Sequence, residues 1–204
     1  MTFPPLIFSG EDVTTLTVAH PNRRFTLEEF ERFCQLNPEA VIELEPDGSL
    51  TVMSPVSPYS GNAENEFGTD LGLYARKHGG SAFSSSTGFT LPDGSVRSPD
   101  ASYLSARKMK GLTKEELKHF TAVVPDFVVE VISPSDRTKV TDQKMRDKWV
   151  ANGVPLAWMV DVEQEKVWIY RSDLSVDVHT DFEVPLTGED ILPGFVFDLR
   201  VLMR

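Results

Sequence analysis

The stretch that decides the fold is Val123–Ile132, with the sequence VVPDFVVEVI. Its valine and isoleucine residues form a nearly continuous apolar run, which predicts a central strand covered on both faces. Pro125 marks its start, and Ser133–Asp136 mark its end. Glu130 lies inside the run and is expected to be buried. Because an ionised buried carboxylate is costly unless it is paired, hydrogen-bonded or bound to a metal, the strand predicts partners for Glu130.

Length and composition predict one globular domain, spanning residues 1–204. Of the 204 residues, 40% are hydrophobic and 25% are charged, which is enough for a sizeable core. The formal net charge of -11 repels a phosphate backbone at long range. This charge argues against strong non-specific binding of nucleic acid, but it is compatible with a small nuclease site.

The sequence argues against several other classes of protein. Cys34 is the single cysteine, so neither an intramolecular disulfide nor a thiolate zinc site is expected. The four histidines lack metal-ligand spacing, and neither a G-x-S-x-G motif nor a Gly-rich phosphate loop occurs. No apolar run is long enough to span a bilayer and no signal peptide is evident, so a soluble cytoplasmic protein is expected.

The first half of the chain predicts a helix, a hairpin, a second helix and a second hairpin. Thr26 begins a helix with capping-box spacing, and a hairpin follows around Pro46-Asp47-Gly48. The second helix, residues 61–78, carries Glu64 at the edge of its apolar stripe. The second hairpin turns at Pro92-Asp93-Gly94, and its second strand is expected over residues 96–104, with Pro99 marking its start or an irregularity in it.

The second half predicts a short helix over residues 113–120, the strand of Glu130, a helix over 140–152 and two strands, 156–161 and 166–170. Gly153 is expected to close the helix as a left-handed cap residue. Lys144 and Lys148, four residues apart, share one flank of the helix. A lysine there can bury its stem and bring its ammonium to a buried carboxylate.

Each candidate residue also has a plain structural interpretation. Glu64 could lie on a solvated helix face, and Asp100, which follows Pro99, could be a turn residue. Lys144 could pair with Glu130 in a purely structural network. The residue types and their spacing alone leave these alternatives open.

The order of the motifs resembles that of a known superfamily. Ser98-Pro99-Asp100, then Val128–Ser135, then a lysine on the next helix resemble the PD-(D/E)XK nucleases. More closely, the chain is similar to the large bacterial family of "putative restriction endonucleases". The matching pieces extend from Phe25 to Phe197: Met53–Pro55, Ser86–Phe89, Arg97–Asp100, Glu130, Lys144-Met145, Asn152–Val154 and Leu192–Phe195.

This resemblance implies a fold and an activity. The fold is restriction endonuclease-like: an α/β (α+β) domain whose mixed central sheet is flanked by helices, with an N-terminal helix and hairpin. The activity is Mg²⁺- or Mn²⁺-dependent hydrolysis of DNA, with Asp100, Glu130 and the Val131 carbonyl as metal ligands. Lys144 and Glu64 complete the implied catalytic set. A homodimer is a reasonable expectation, since cutting both strands commonly needs two sites.

The chain departs from the simplest superfamily pattern at one position. The lysine expected two residues after Glu130 is replaced by Ile132, so it must come from the next helix. Lys144 is the preferred candidate, with Lys148 and Gln143 as rivals. Four basic residues near the proposed site are candidate phosphate contacts, although surface solvation is favoured for each taken singly: Arg97, Arg137, Lys139 and Arg146.

Two alternatives to an active nuclease follow from the same features. The first is a catalytically silent nuclease-fold protein that binds nucleic acid or a protein partner; the net charge and the missing strand lysine support it. The second is a hydrolase of another substrate, which has no supporting feature beyond the same carboxylates.

Overall fold

The computed structural model describes the backbone of residues 15–18 and, in full, residues 24–132 and 142–203. The strands are β1 Thr15–Val18, β2 Val41–Leu44, β3 Leu50–Met53, β4 Ser81–Ser84, β5 Phe89–Thr90, β6 Val96–Arg97, β7 Ala101–Leu104, β8 Phe127–Val131, β9 Leu156–Asp161, β10 Lys166–Arg171, β11 Val176–His179, β12 Leu186–Thr187 and β13 Val196–Phe197. The helices are α1 Leu27–Leu36, α2 Pro58–His78, α3 Ala106–Lys110, a π-helix Met145–Val150, and 3₁₀ turns at Glu116–Lys118 and Leu199–Met203.

The described strands form two main sheets. One has five strands in the order β1-β3-β2-β6-β5, and the other has six in the order β11-β10-β9-β8-β7-β4; β12 and β13 form a separate pair. The six-stranded sheet is mixed, because β8 runs parallel to β9 and antiparallel to β7. Helices pack on this sheet, and α1 precedes the β2–β3 hairpin. The predicted fold class is therefore confirmed.

Strand β8 is covered on both faces, as its apolar run predicted. All five of its residues are buried. Val129 and Val131 pack in a core with Phe67 of α2, whereas Val128 packs in a second core with Trp149 of the π-helix. Alternation along the strand directs Glu130 towards the second core.

Residues 96–104 do not form one strand, although the irregularity expected at Pro99 is present. The chain instead forms β6, which pairs with β2 of the five-stranded sheet, and β7, which pairs with β8 of the six-stranded sheet. The break is at Ser98–Asp100, and we call these residues the sheet crossing. Pro99 explains the interruption, because proline has no N–H to donate to a strand ladder.

Helix bounds differ from the predictions in three places. α2 begins at Pro58, earlier than predicted, because Ser57 caps it and proline suits a first helical position. The segment at 113–120 contains one 3₁₀ turn, Glu116–Lys118, which buries no residue and so lacks packing to extend it. α3 was not predicted.

The helix expected over residues 140–152 starts partly outside the described residues. Its described part is helical from Asp142, becomes a π-helix at Met145, and is followed by Gly153 at a φ of 91°. That positive φ confirms the left-handed cap. Within the described parts of the chain, no helix combines the length and apolarity needed to cross a bilayer.

The core under α2 predicts a large destabilisation on truncation. Phe67 has no exposed surface, and its ring stacks on Phe197 with centroids 4.0 Å apart. We expect Phe67→Ala to lower the free energy of unfolding by about 3–5 kcal/mol, since it leaves a cavity. Urea denaturation followed by circular dichroism would measure the loss. Leu73→Ala on the same helix is the control: Leu73 is 56% exposed, and we expect a change of about 0.5 kcal/mol or less.

Candidate active site

Glu130 has partners for both of its carboxylate oxygens. Oε2 accepts a hydrogen bond from Lys144 Nζ at 2.8 Å, and Oε1 accepts one from Trp149 Nε1 at 2.7 Å. Glu130 is only 4% exposed, so these are contacts inside the protein. Burial raises the pKa of Glu130, and the charge and hydrogen bond of Lys144 oppose that rise. The carboxylate is therefore held by one cation and one neutral donor.

The π-helix brings both donors to the same carboxylate. Lys144 immediately precedes this helix, and Trp149 lies five residues later. In an α-helix, residues five apart point in different directions, because one turn contains 3.6 residues. A π-helix is wound with i to i+5 hydrogen bonds, such as Ala151 N–H to the Arg146 carbonyl at 2.9 Å. This wider winding lets residues 144 and 149 reach the two oxygens of Glu130.

Asp100 lies in the sheet crossing, beside the end of β8. Its Oδ2 accepts a hydrogen bond from the Val131 N–H at 2.6 Å. The β7–β8 register pairs Ala101 with Val129, and continued by two residues it would place Pro99 opposite Val131. Pro99 cannot donate to the Val131 carbonyl, which points to the same edge of β8 as the Val131 N–H. A backbone oxygen thus lies at the edge where Asp100 binds.

Acidic groups outnumber the cation at this site. Burial, with the charges of Glu130 and Glu64, raises the pKa of Asp100 well above its usual range, while Lys144 opposes the rise. The pKa of Glu64 is also raised, by burial and by the charge of Glu130. A hydrogen bond with Ser85 opposes this rise without cancelling it. Among the described residues, these three carboxyl groups share one field with the ammonium of Lys144, and the charge of Glu43 acts on it too. This arrangement favours binding of a further cation.

Lys144 is the lysine that contacts Glu130, and its rivals lie elsewhere. Burial disfavours its charge, but the nearby carboxylates, Glu130 first, raise its pKa overall, so the ammonium stays protonated. Lys148 Nζ instead contacts Glu45 Oε1 at 3.3 Å. Gln143 is exposed. The structure therefore brings Asp100, Glu130, Lys144 and Glu64 within electrostatic reach of one another.

The candidate phosphate contacts are distributed differently from what the sequence suggested. Arg97, expected on the surface, is 1% exposed and forms ion pairs with acids of the N-terminal hairpin. Arg146 pairs with Asp142 at 3.0 Å on the exposed side of its helix. The predictions for Arg137 and Lys139 lie outside the described residues. Arg97 is thus buried and engaged with Glu43 and Glu45 rather than displayed on the surface for a phosphate, although its Nε has no hydrogen-bond partner among the described residues.

The network around Arg97 was not predicted from the sequence. Its Nη1 donates to Glu43 at 2.9 Å and to Glu45 at 2.7 Å, and its Nη2 donates to Glu45 at 2.5 Å. Burial acts to raise the pKa of Glu45, but the hydrogen bonds from Arg97 and Thr51 lower it to about 2. A signal was present in the sequence: Glu43 and Glu45 are two residues apart in an extended segment, so both point to one face.

The residues at the site suit a hard divalent cation. Within the described parts of the chain, no cluster of three or more His, Cys, Asp or Glu side chains is arranged to hold a metal. The set here consists of two carboxylates, Asp100 and Glu130, and the Val131 carbonyl. All are oxygen donors, which Mg²⁺ and Mn²⁺ prefer, and Mg²⁺ commonly keeps several waters with only one or two protein carboxylates. The donor set therefore fits such an ion.

The raised pKa of Asp100 predicts how stability depends on pH without metal. A carboxyl group whose pKa is raised on folding stabilises the protein at low pH and loses that contribution as pH rises through the raised pKa. Asp100→Asn removes this loss and keeps an oxygen acceptor for Val131 N–H. In EDTA at pH 8 we expect the variant to be more stable than wild type by about 1 kcal/mol or more, which raises Tm by about 2–4 °C. The difference should vanish towards pH 4.

Asp93→Asn provides the opposite control. Hydrogen bonds from Ser95 and Asn152 lower the pKa of Asp93 despite partial burial, so its contribution is present at pH 8 and is lost in acid. We therefore expect Asp93→Asn to lower Tm at pH 8. Scanning calorimetry from pH 4 to pH 8 would measure both variants. An Asp100→Asn protein less stable than wild type at pH 8 would contradict the interpretation.

Comparison with known proteins agrees with this architecture. Residues 27–200 match the Uma2 family, described as "Putative restriction endonuclease". No curated protein matches the chain significantly. A crystal structure described as a putative nuclease belonging to DUF820, from Anabaena variabilis, superposes with a TM-score of 0.69 at 16% identity, covering 87% of this chain and 97% of that one. At this identity the structural match concerns the fold alone, while the family match spans most of the chain. The chain therefore belongs to the Uma2 family and has the restriction endonuclease-like fold of the PD-(D/E)XK nucleases.

Proposed function

We propose that the protein is a Mg²⁺- or Mn²⁺-dependent nuclease that hydrolyses DNA phosphodiester bonds. The observation that carries the proposal is the meeting of Asp100, Glu130 and Lys144 beside the Val131 carbonyl, at the end of one buried strand. The family description and the nuclease described for the structural neighbour support the same reaction class. An acid-rich, partly buried site with strongly perturbed pKa values is typical of catalysis.

Asp100, Glu130 and the carbonyl of Val131 would hold the metal ion. When bound, the ion would lower the pKa of a coordinated water and neutralise charge on the phosphodiester. Asp100 is oriented for this role by its bond to Val131 N–H, and Glu130 by Trp149. Both side chains are thus held before any ligand arrives, which limits the reorganisation that binding requires.

Lys144 would orient the attacking water and stabilise negative charge in the transition state. Its ammonium stays protonated beside the acids, so it can donate hydrogen bonds but cannot serve as a base. Glu64, whose raised pKa favours the protonated form, would join through water or help to bind a second cation. Acting on both strands of a duplex would suit a homodimer, and we propose a cytoplasmic location for the enzyme.

A second candidate is a catalytically silent protein with the same fold. One observation favours it: both oxygens of Glu130 already have partners, so the ion pair with Lys144 can exist as a self-contained structural contact. A silent protein need not bind Mn²⁺, whereas the proposed enzyme must. Isothermal titration of the metal-free protein with MnCl₂ therefore separates the two candidates.

The decisive experiment measures cleavage of supercoiled, linear and single-stranded DNA with Mg²⁺ or Mn²⁺, and with EDTA as a blank. We expect wild type to cut at least one of these forms. Asp100→Asn, Glu130→Gln and Lys144→Met should each lower the rate by about 100-fold or more, since each removes a ligand or a charge that acts in the transition state.

Lys108→Met is the matched control. Lys108 and Lys144 have similarly exposed side chains, 23% and 21%, and Lys108 pairs with Asp126 at the opposite end of β8. Its loss removes a comparable ion pair without touching the site, so activity should stay within about threefold at a temperature where the protein is folded. Absence of cleavage for every DNA form and metal would sink the proposal, as would activity that survives Glu130→Gln.

A further inference from the structure

The sheet crossing Ser98–Asp100 is held by a carboxylate at each end. Asp100 Oδ2 accepts the Val131 N–H at 2.6 Å, which ties the end of the crossing to β8. Glu43 Oε1 accepts the Ser98 N–H at 2.9 Å, which ties its beginning to β2. Pro99, between them, has no N–H. Side chains thus replace the ladder bonds that the backbone loses where it passes from one sheet to the other.

Glu43 is fixed in this position by a second contact. Its Oε2 accepts a hydrogen bond from Arg97 Nη1 at 2.9 Å, and Glu43 and Arg97 are 2% and 1% exposed. Arg97 immediately precedes Ser98, so one carboxylate holds two consecutive residues at the start of the crossing. Arg97 is held in turn by Glu45. Because both partners of this ion pair are buried, neither can move away without leaving an uncompensated buried charge.

Glu43 also lies near the proposed active site. Its charge acts on both Glu130 and Lys144, although it belongs to the other sheet. Glu43 is thus a buried acid whose charge reaches the site, and it forms no hydrogen bond or ion pair with either residue in the described structure. Instead, its carboxylate accepts hydrogen bonds from the Arg97 guanidinium and the Ser98 N–H, which precede Asp100 in the chain.

We propose that Glu43 is a positioning residue that sets the place of Asp100 by anchoring the sheet crossing to the N-terminal hairpin. The inference rests on the proposed function in one respect, since it takes Asp100 to be a metal ligand. Through Ser98, Glu43 fixes where the crossing begins, and the rigid Pro99 carries that position to Asp100. The hairpin thereby takes part in building the site although it supplies no metal ligand.

If Glu43 only stabilised the fold, its replacement would leave Asp100 in place. The chain offers a matched control for the Glu43 variants. Asp126 is also a buried carboxylate that accepts one backbone N–H, from Ser105 at 2.7 Å, and pairs with one cation, Lys108, at 2.9 Å. It lies beside the opposite end of β7. Asp126→Asn therefore disturbs a similar contact without acting on the crossing.

The test compares native-state amide hydrogen exchange in wild type, Glu43→Ala, Glu43→Gln and Asp126→Asn. The Val131 amide reports on Asp100, because Asp100 accepts its proton. We expect Val131 to exchange about 10-fold or more faster in Glu43→Ala, relative to Val129 in the same strand. Glu43→Gln, which keeps an oxygen for Ser98 but loses Arg97, should give about a threefold increase. Asp126→Asn should accelerate exchange at Ser105 and leave Val131 within twofold.

Manganese affinity provides the second measurement. Mn²⁺ titration should show Kd raised about 10-fold or more by Glu43→Ala, less by Glu43→Gln, and less than twofold by Asp126→Asn. Equal losses in the two Glu43 variants with unchanged exchange at Val131 would indicate a charge effect alone and would overturn the proposal. Unchanged exchange and affinity in both variants would overturn it too. If Glu43→Ala does not fold, Glu43→Gln decides, and an increase at Val131 below twofold counts against the proposal.

Failure of this inference is distinct from failure of the proposed function. The exchange measurement requires neither metal nor DNA, so it decides the role of Glu43 even if the protein cuts nothing. Conversely, loss of cleavage in Glu130→Gln says nothing about exchange at Val131. The two experiments therefore fail independently.

Discussion

Glu130 is a carboxylate inside a strand that is buried on both faces, and much of the surrounding structure follows from satisfying it. Water cannot reach such a group freely, so its oxygens need donors from the protein. Lys144 and Trp149 supply these donors. For both to reach Glu130, the helix that follows β8 packs over the strand and widens into a π-helix. Replacing a buried ion pair by apolar residues is often neutral or stabilising. Stability alone therefore gives little reason for this arrangement, whereas the catalytic role proposed for Glu130 would give one.

Pro99 provides the second constraint. Because Pro99 has no N–H, a strand ladder cannot run unbroken through this position. The chain passes here from the five-stranded to the six-stranded sheet. The interruption places Asp100 beside Val131 and leaves the Val131 carbonyl without a donor from the opposite position. Two of the three oxygen ligands in the proposed metal site, the Asp100 carboxylate and the Val131 carbonyl, thus lie at this interruption.

The sequence predicted those features that depend on local pattern. The apolar run around Glu130, the capping box at Thr26 and the turn at Pro46-Asp47-Gly48 are decided by neighbouring residues, and the structure agrees with them. The place of Lys144 came from family resemblance, because spacing alone did not separate it from Lys148. Pro99 indicated an irregularity in the strand over residues 96–104, but it did not indicate that the chain passes there from one sheet to another.

Long-range contacts could not be predicted from the sequence pattern. Glu43 and Arg97 are 54 residues apart, and the local sequence around neither residue indicates that the other is its partner. The π-helix is equally hidden, because its sequence also satisfies an α-helical stripe. It is selected by the two donors that Glu130 needs, a demand that exists only after β8 and the helix have met. The fold was therefore more predictable than the site's internal geometry.

Charge decides what the site can accept. Among the described residues, the cations nearest the acids already have partners: Lys144 holds Glu130, Lys148 holds Glu45, and Arg97 holds both Glu43 and Glu45. A phosphodiester approaching this protein, with its net charge of -11, meets acids that exceed the cations available to it. A divalent ion held by Asp100 and Glu130 reverses that balance locally. In the proposed reaction the acids therefore serve DNA binding indirectly: they repel the substrate in the metal-free protein and attract it, through the ion, once the metal is bound.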